Sequence, residues 1–204
     1  MTLENKLGIS DQTELTREEE RLSKMRAREL FEKGILNELT AGSIESLFEI
    51  HRYLFQDVYP FAGKTRAVNI SKGGFRFVPI MYLELSLNTI EKMPQTTFDE
   101  IIEKYVEMNA VHPFREGNGR ATRIWLDLIL KTELGQVIDW SHVDKEDYLL
   151  AKERSPIRSI EIKHVFKNAL TTAIDDQEVF MKGIDASYYY EGYSVYKTKD
   201  LASK

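Results

Sequence analysis

Between residues 112 and 123 the chain reads His-Pro-Phe-Arg-Glu-Gly-Asn-Gly-Arg-Ala-Thr-Arg. Gly117-Asn118-Gly119 falls where a loop turns into a helix. Glycine permits backbone conformations that aim successive N–H groups inward, and a helix N-terminus adds partial positive charge. Together they make a cradle for an anion, phosphate above all. Arg120 and Arg123 sit at i, i+3 in the first turns of that helix, which places both guanidiniums on one side. Guanidinium forks bind phosphate oxygens in bidentate fashion. Glu116 is badly placed beside a phosphate unless a divalent cation lies between them, and one carboxylate with phosphate oxygens and waters is an ordinary magnesium arrangement. His112 is the group here that takes up a proton near neutral pH. The sum is a polyphosphate site with magnesium and one general base, the equipment of phosphoryl or nucleotidyl transfer.

Taken singly, each part has a plainer reading. A histidine at the end of an apolar helix is more often structural than catalytic, a Gly-Asn-Gly is usually a turn, and paired arginines usually form a solvated face. Their ordered coincidence carries the argument. Two other motifs fail. Ala62-Gly63-Lys64-Thr65 looks like the end of a phosphate-binding P-loop, but Val58 stands where its first glycine should be. No dinucleotide-binding G-x-G-x-x-G and no H-E-x-x-H zinc motif occurs.

The elements that must hold these residues are mainly helices. Thr16-Arg17-Glu18-Glu19 has capping-box spacing and opens a charged helix that Gly34 can close. A second helix is expected from about 43 to 57, with Ile44, Leu47, Phe48, Leu54 and Phe55 as its buried stripe and Pro60 as its end. Two β-prone runs around Lys72-Gly73-Gly74 predict a hairpin over about 66–80, the only sheet expected. Helices follow over 81–92, from the capping box Thr97–Glu100 to about 111, and over 118–134 with Gly135 as stop. Further helices are expected over 144–153 and 159–173, with a weaker piece over 176–182. Ser187–Tyr193 reads as a separate short helix, with Ser187 as N-cap and Gly192 as stop, before a polar tail expected to fray.

At 204 residues, with 42% apolar and 30% charged, the composition suits one all-α globular domain over 1–204 with an inserted hairpin. No apolar run is long enough to span a membrane. The acidic, polar start is unlike a signal peptide, and the absence of cysteine excludes disulfides and thiolate zinc sites. A cytoplasmic location is therefore expected. A net charge of −5 argues against nucleic-acid binding, since no basic stripe is available to displace counterions.

His112–Arg123 matches the signature H-x-F-x-[D/E]-G-N-G-R-x-x-R at every specified position, and the chain is identified by it as resembling the Fic family. IHRYLFQDVYPFAGKTR resembles that family's helix and turn, and ISKGGFRFVPI resembles its β-hairpin flap. The resemblance implies the Fic helical bundle and AMPylation, the movement of AMP from ATP to a hydroxyl side chain of a target protein. It makes His112 the base for the target hydroxyl and Glu116 the magnesium ligand. Asn118 and the N–H groups of Gly117 and Gly119 would hold the α-phosphate, Arg120 the β-phosphate and Arg123 the γ-phosphate. Phe114 is read as core. Lys72 is placed to touch nucleotide. The flap, with Gly73, Gly74, Phe75 and Phe77, would dock the target by strand addition. The adenine pocket is placed only as a guess, along the helix through Tyr148 and Ser155. The Doc branch, which phosphorylates its target, lacks the second glycine of G-N-G and the second arginine; both are present here, which favours AMP transfer.

Ser187-x-x-x-Glu191-Gly192 resembles the family's inhibitory motif at the C-terminal position of the class that carries its own inhibitor helix. That implies that Glu191 pairs with Arg123 and withholds it from the γ-phosphate, an autoinhibited enzyme. In some relatives the motif glutamate also supports removal of AMP, so a bifunctional enzyme is a live reading. Tyr188, Tyr189 and Tyr190 are candidate self-AMPylation sites, and association between copies is expected by analogy. The competing readings are a catalytically silent nucleotide-binding regulatory partner and a Doc-type phosphotransferase.

Overall fold

The computed structural model describes residues 2–201. Helix α1 (Gln12–Glu32) is capped by Asp11, whose carboxylate accepts from Glu14 N. The expected Thr16 box is not its start, because Asp11 caps the chain a turn earlier and the Thr16 hydroxyl donates to Gln12 O. Helix α2 (Ile44–Phe55) has Ser43 as N-cap and stops ahead of Pro60. Strands β1 (Ser71–Lys72) and β2 (Phe75–Arg76) form the hairpin, with Gly73 and Gly74 at φ 57° and 84° as a primed two-residue turn requires. Helix α3 (Leu83–Glu91) follows a short 3₁₀ turn. Helix α4 (Phe98–Val111) starts in the full Thr97/Glu100 capping box, and α5 (Asn118–Leu134) stops at Gly135 in the left-handed conformation.

The last third departs from the expected pattern. After α6 (Lys145–Arg154), α7 ends early (Ile160–Lys167). Leu170–Thr171 leaves it as a strand, β4, pairing with β3 (Val137–Ile138), so the hairpin is not the only sheet. Pairings of two residues are too short to show the alternation that marks a strand in sequence. Helix α8 runs unbroken over Gln177–Tyr190 with Asp176 as N-cap. The two separate pieces expected there are one helix, and Ser187 lies inside it rather than at its start. Gly183 broke the sequence pattern for a packing reason, since a Cβ there would stand 3.2 Å from Trp140 Cδ1.

The described part of the tail is not frayed. The N–H groups of Val195 and Tyr196 donate to the buried Glu20, and Lys24 donates to Tyr196 O at 2.6 Å. Thr198 is fastened to Asp185 through both its N–H and its hydroxyl. Residues 202–204 lie outside the described part. At the centre of the molecule α5 is buried from Asn118 through Leu126 and packs against α2, α4 and α8. Trp125 and Phe114 are both fully buried, so the loop before α5 is anchored in the same core as the helix. No described helix is long and apolar enough to cross a membrane.

Candidate active site

The last carbonyls of a helix have no partner within it and must find one. At the end of α4 each has been given one. Met108 O takes His112 N, Asn109 O faces His112 Nδ1 at 3.2 Å, and Ala110 O takes Val78 N from beside the hairpin. Val111 O and His112 O both take the Arg66 side chain, and Pro113 O takes Arg66 N. His112 closes the helix in the left-handed conformation at φ 51°, the only non-glycine residue described with positive φ. Such a conformation is disfavoured and persists only where the surroundings hold it.

These contacts settle the imidazole. A carbonyl can only accept, so Nδ1 carries the hydrogen and Nε2 keeps its lone pair. Burial, with Lys152 and Lys72 adding to it, holds the ring's pKa down to about 3. The ring is therefore neutral at physiological pH, the form a general base needs. Phe77 stacks on it at 3.8 Å between centroids. Phe77, named with the docking flap, covers the imidazole, and Phe75 beside it is partly exposed.

The loop beyond His112 is built around Phe114, which is core as expected. Its ring stacks on His51 at 3.7 Å. His51 Nε2 donates to Glu116 O at 2.8 Å and its Nδ1 accepts from Gly63 N at 2.9 Å. The false P-loop ending is thus a turn that holds His51, and His51 holds the Glu116 backbone. Asn118 accepts from Phe114 N and donates to Phe114 O, both at 2.8 Å. Its amide thereby shapes the loop that carries the neighbouring N–H groups. Gly117, at φ 79°, lies where a Cβ would come within 2.4 Å of Phe55.

Arg120 and Arg123 do not point the same way. Arg120 is 1% exposed and bonds Glu19 of α1 and, at 3.0 Å, Glu116. Phe55, Tyr188 and Tyr193 enclose its guanidinium, whose Nε has no partner among the described residues. Glu19 also receives the hydroxyls of Tyr59 and Tyr193. Arg123 turns to α8, bonding Ser187 Oγ at 2.6 Å, Ser187 O at 2.9 Å and Glu191 Oε1 at 3.0 Å. Tyr148 OH takes a fourth bond at 3.1 Å. Burial works against the Glu191 anion, but Arg123, Lys152 and Lys72 outweigh it and hold its pKa far below the usual carboxylate range. Gly119 makes this contact possible, since a Cβ there would lie 2.3 Å from Glu191 Oε1.

His112, Glu116, Gly117–Arg120 and Glu191 line a cleft of about 750 Å³, with Lys72, Gly73, Phe75 and Phe77 along its hairpin side. Arg123 lies outside that lining, behind Glu191. Lys72 pairs with Glu191 Oε2 at 3.2 Å. Along the helix named for the adenine pocket, Tyr148 and Ser155 are buried, whereas Leu149, Lys152, Glu153 and Pro156 face the cleft. Among the described residues no three carboxylates or histidines gather as a metal site. Glu116 still suits a cation brought by a nucleotide. Both its bonds, from Arg120 and Gly117 N, go to Oε1, and its side chain is 41% exposed.

Two of the tyrosines named as acceptors are unavailable. Tyr188 OH donates to Ser23 and Tyr190 OH to Trp140 O and Val143 O, both in the core. Tyr189 is 53% exposed. Gly192 follows Glu191 with φ 94°. Sequence reasoning missed the roles of Arg66, His51 and Glu19, and named Tyr148 only for the adenine pocket. His51 and Arg66 both lie in the quoted helix-and-turn stretch, but nothing there showed what they hold.

A helical bundle with a glycine-rich helix start, a buried histidine ahead of it and a hairpin over the cleft defines the Fic architecture. The chain belongs to the Fic/DOC family, whose model matches residues 41–130. It is 33% identical over 165 residues to the probable protein adenylyltransferase y4lH of Sinorhizobium fredii, covering 75% of this chain and 82% of that protein. It is 35% identical to the protein adenylyltransferase VbhT of Bartonella schoenbuchensis over 74% of this chain and spans only 33% of VbhT. The crystal structure of BepC from Bartonella tribocorum, with bound AMPPNP, shares the fold at TM-score 0.71 and 21% identity, covering 84% of this chain and 93% of that one.

Proposed function

We propose that this chain is an autoinhibited protein adenylyltransferase that uses ATP and magnesium. The reading rests on its membership of a family with relatives named for that activity and on the neutral His112 imidazole facing a cleft with an anion cradle. In the reaction the acceptor hydroxyl gives its proton to Nε2 of His112 as its oxygen bonds the α-phosphorus. The bond from that phosphorus to the bridging oxygen breaks, and pyrophosphate leaves. The N–H groups of Gly117 and Gly119 would meet the charge growing on the α-phosphate. Magnesium supplies charge neutralisation across the phosphates, and Glu116 would hold it.

Arg123 gives the observation that carries the inhibited state. Its guanidinium is bonded to Glu191, Ser187 and Tyr148 and lies outside the cleft lining. Transfer of label from α-labelled but not γ-labelled ATP into protein tests the reaction class. Label passing from the γ position would make it a phosphotransferase, and no transfer from either in the released enzyme a silent nucleotide-binding partner. The same Glu191 could orient water for removal of AMP; loss of that removal in Glu191→Gly supports it. Self-modification is confined to Tyr189, and mass spectrometry of the Glu191→Gly protein incubated with ATP tests it by a mass gain on that peptide.

A further inference from the structure

Arg66 lies in the short connection between the Gly63 turn and the hairpin. It is 4% exposed, and among the described residues no carboxylate pairs with it. Every acceptor of its guanidinium is a backbone carbonyl, from three places in the chain. Val111 O and His112 O, at 3.2 and 2.9 Å, belong to the end of α4. Val68 O, at 2.8 Å, belongs to the limb entering the hairpin, and Val78 O to the limb leaving it. Its own N–H adds Pro113 O at 2.8 Å. Burying a guanidinium against neutral acceptors alone is costly, and burial lowers its pKa. A hydrophobic side chain could fill the space, but it would leave these carbonyls unpaired.

The hairpin needs such a device. β1 and β2 pair over two residues each, so the ladder does not reach down to the base of the flap. Below it the limbs are joined by Phe77 N to Ile70 O and by Asn69 Oδ1 to Ile80 N, and then by the Arg66 fork. The same fork grips the His112 carbonyl, whose residue sits in a disfavoured backbone conformation with its ring under Phe77.

We propose that Arg66 is a positioning residue that locks the His112 imidazole and both limbs of the flap into one register, so that an acceptor segment laid along the flap meets Nε2. The proposal rests on the adenylyltransferase reading. Lysine cannot substitute, because one ammonium is a point charge whereas the planar fork reaches carbonyls on both sides at once. The nucleotide cradle, carried by Gly117–Arg120, is not among the hydrogen-bond partners of Arg66 and keeps its affinity when Arg66 changes.

The test uses the full chain carrying Glu191→Gly, with and without Arg66→Lys or Arg66→Ala. ATP affinity, AMP transfer from α-labelled ATP into lysate protein and the ¹⁵N spectrum of His112 are measured. Arg66→Lys is expected to hold ATP affinity within about threefold while transfer falls about 100-fold, the loss that a displacement of about 1 Å brings. The Nδ1–H tautomer signal of His112 gives way to a mixture, and millimolar guanidinium restores transfer to Arg66→Ala. Unchanged transfer and tautomer, or a loss of ATP binding in parallel with transfer, overturns the proposal, the second outcome giving Arg66 a role in the fold alone. If Glu191→Gly with Arg66 intact transfers no AMP, the adenylyltransferase reading fails, and the tautomer signal decides the positioning role by itself.

Discussion

Arg123 Nη2 lies 3.0 Å from Glu191 Oε1, joining the second turn of α5 to the end of α8 across a space that only glycine at position 119 leaves open. The arginine is 1% exposed and the glutamate side chain 18%, so little water screens the pair. The other Glu191 oxygen takes Lys72 from the flap. One carboxylate thus holds Arg123 and touches the hairpin.

Ser187 shares in that restraint. Ser187→Ala removes the acceptor of Arg123 Nε while leaving Glu191 in place. A hydrogen bond to a charged group contributes roughly 1.5 kcal/mol, so AMP transfer is expected to rise about tenfold. Rates measured beside wild type check it. Lys72→Ala, which breaks a pair whose lysine is 75% exposed, is expected to raise transfer much less.

Chelation with EDTA is expected to abolish transfer, and excess magnesium to restore it. Glu116→Gln, which keeps the shape and removes the charge, is expected to raise the magnesium concentration for half-maximal transfer at least about tenfold. A magnesium titration of both proteins in the Glu191→Gly background reads this out.

Glu19 is the buried partner of Arg120. Glu19→Ala leaves a buried guanidinium without its main counter-charge, which costs roughly 3 kcal/mol and lowers the melting temperature on the order of 10 °C. Thermal unfolding of the two proteins checks it. Arg120→Met together with Glu19→Ala is expected to recover most of the loss, because the uncompensated charge is then gone.

Acid is expected to destabilise the fold through its buried histidines. Burial holds His51 and His112 down to about 3, below the ordinary 6.5. Between those values the unfolded chain binds the protons that the native state refuses, so stability rises with pH across this window and is lost on acidification. It is complete above the unfolded value. For the fully buried His51 the slope approaches roughly 1.4 kcal/mol per pH unit. Denaturant unfolding from pH 5 to 7.5 is expected to show a shallower pH slope in His51→Gln, and an equal slope in both proteins would contradict it.

What sequence could and could not show follows from distance along the chain. His112–Arg123 is legible because its chemistry is contiguous, and the Gly73-Gly74 turn because its backbone demand is local. The unbroken course of α8 was not legible, since Gly183 inside it finds its packing reason only against Trp140, distant in sequence. Glu19, Glu20 and Lys24 belong to what reads as a charged helix, yet they are buried under Tyr193, Val195 and Tyr196, partners found only in the folded chain. Arg66 ends the quoted helix-and-turn stretch, but nothing near it in sequence announces four carbonyls converging from three segments.

The account turns on whether Glu191 restrains a competent transferase. Wild type, Glu191→Gly, and Glu191→Gly with His112→Ala are incubated with α-labelled ATP, magnesium and a lysate, and protein-bound label is measured. Little label, label raised by on the order of 100-fold as a buried pair is released, and none is the expected series. Wild-type label equal to that of Glu191→Gly, or label that survives His112→Ala, would contradict it.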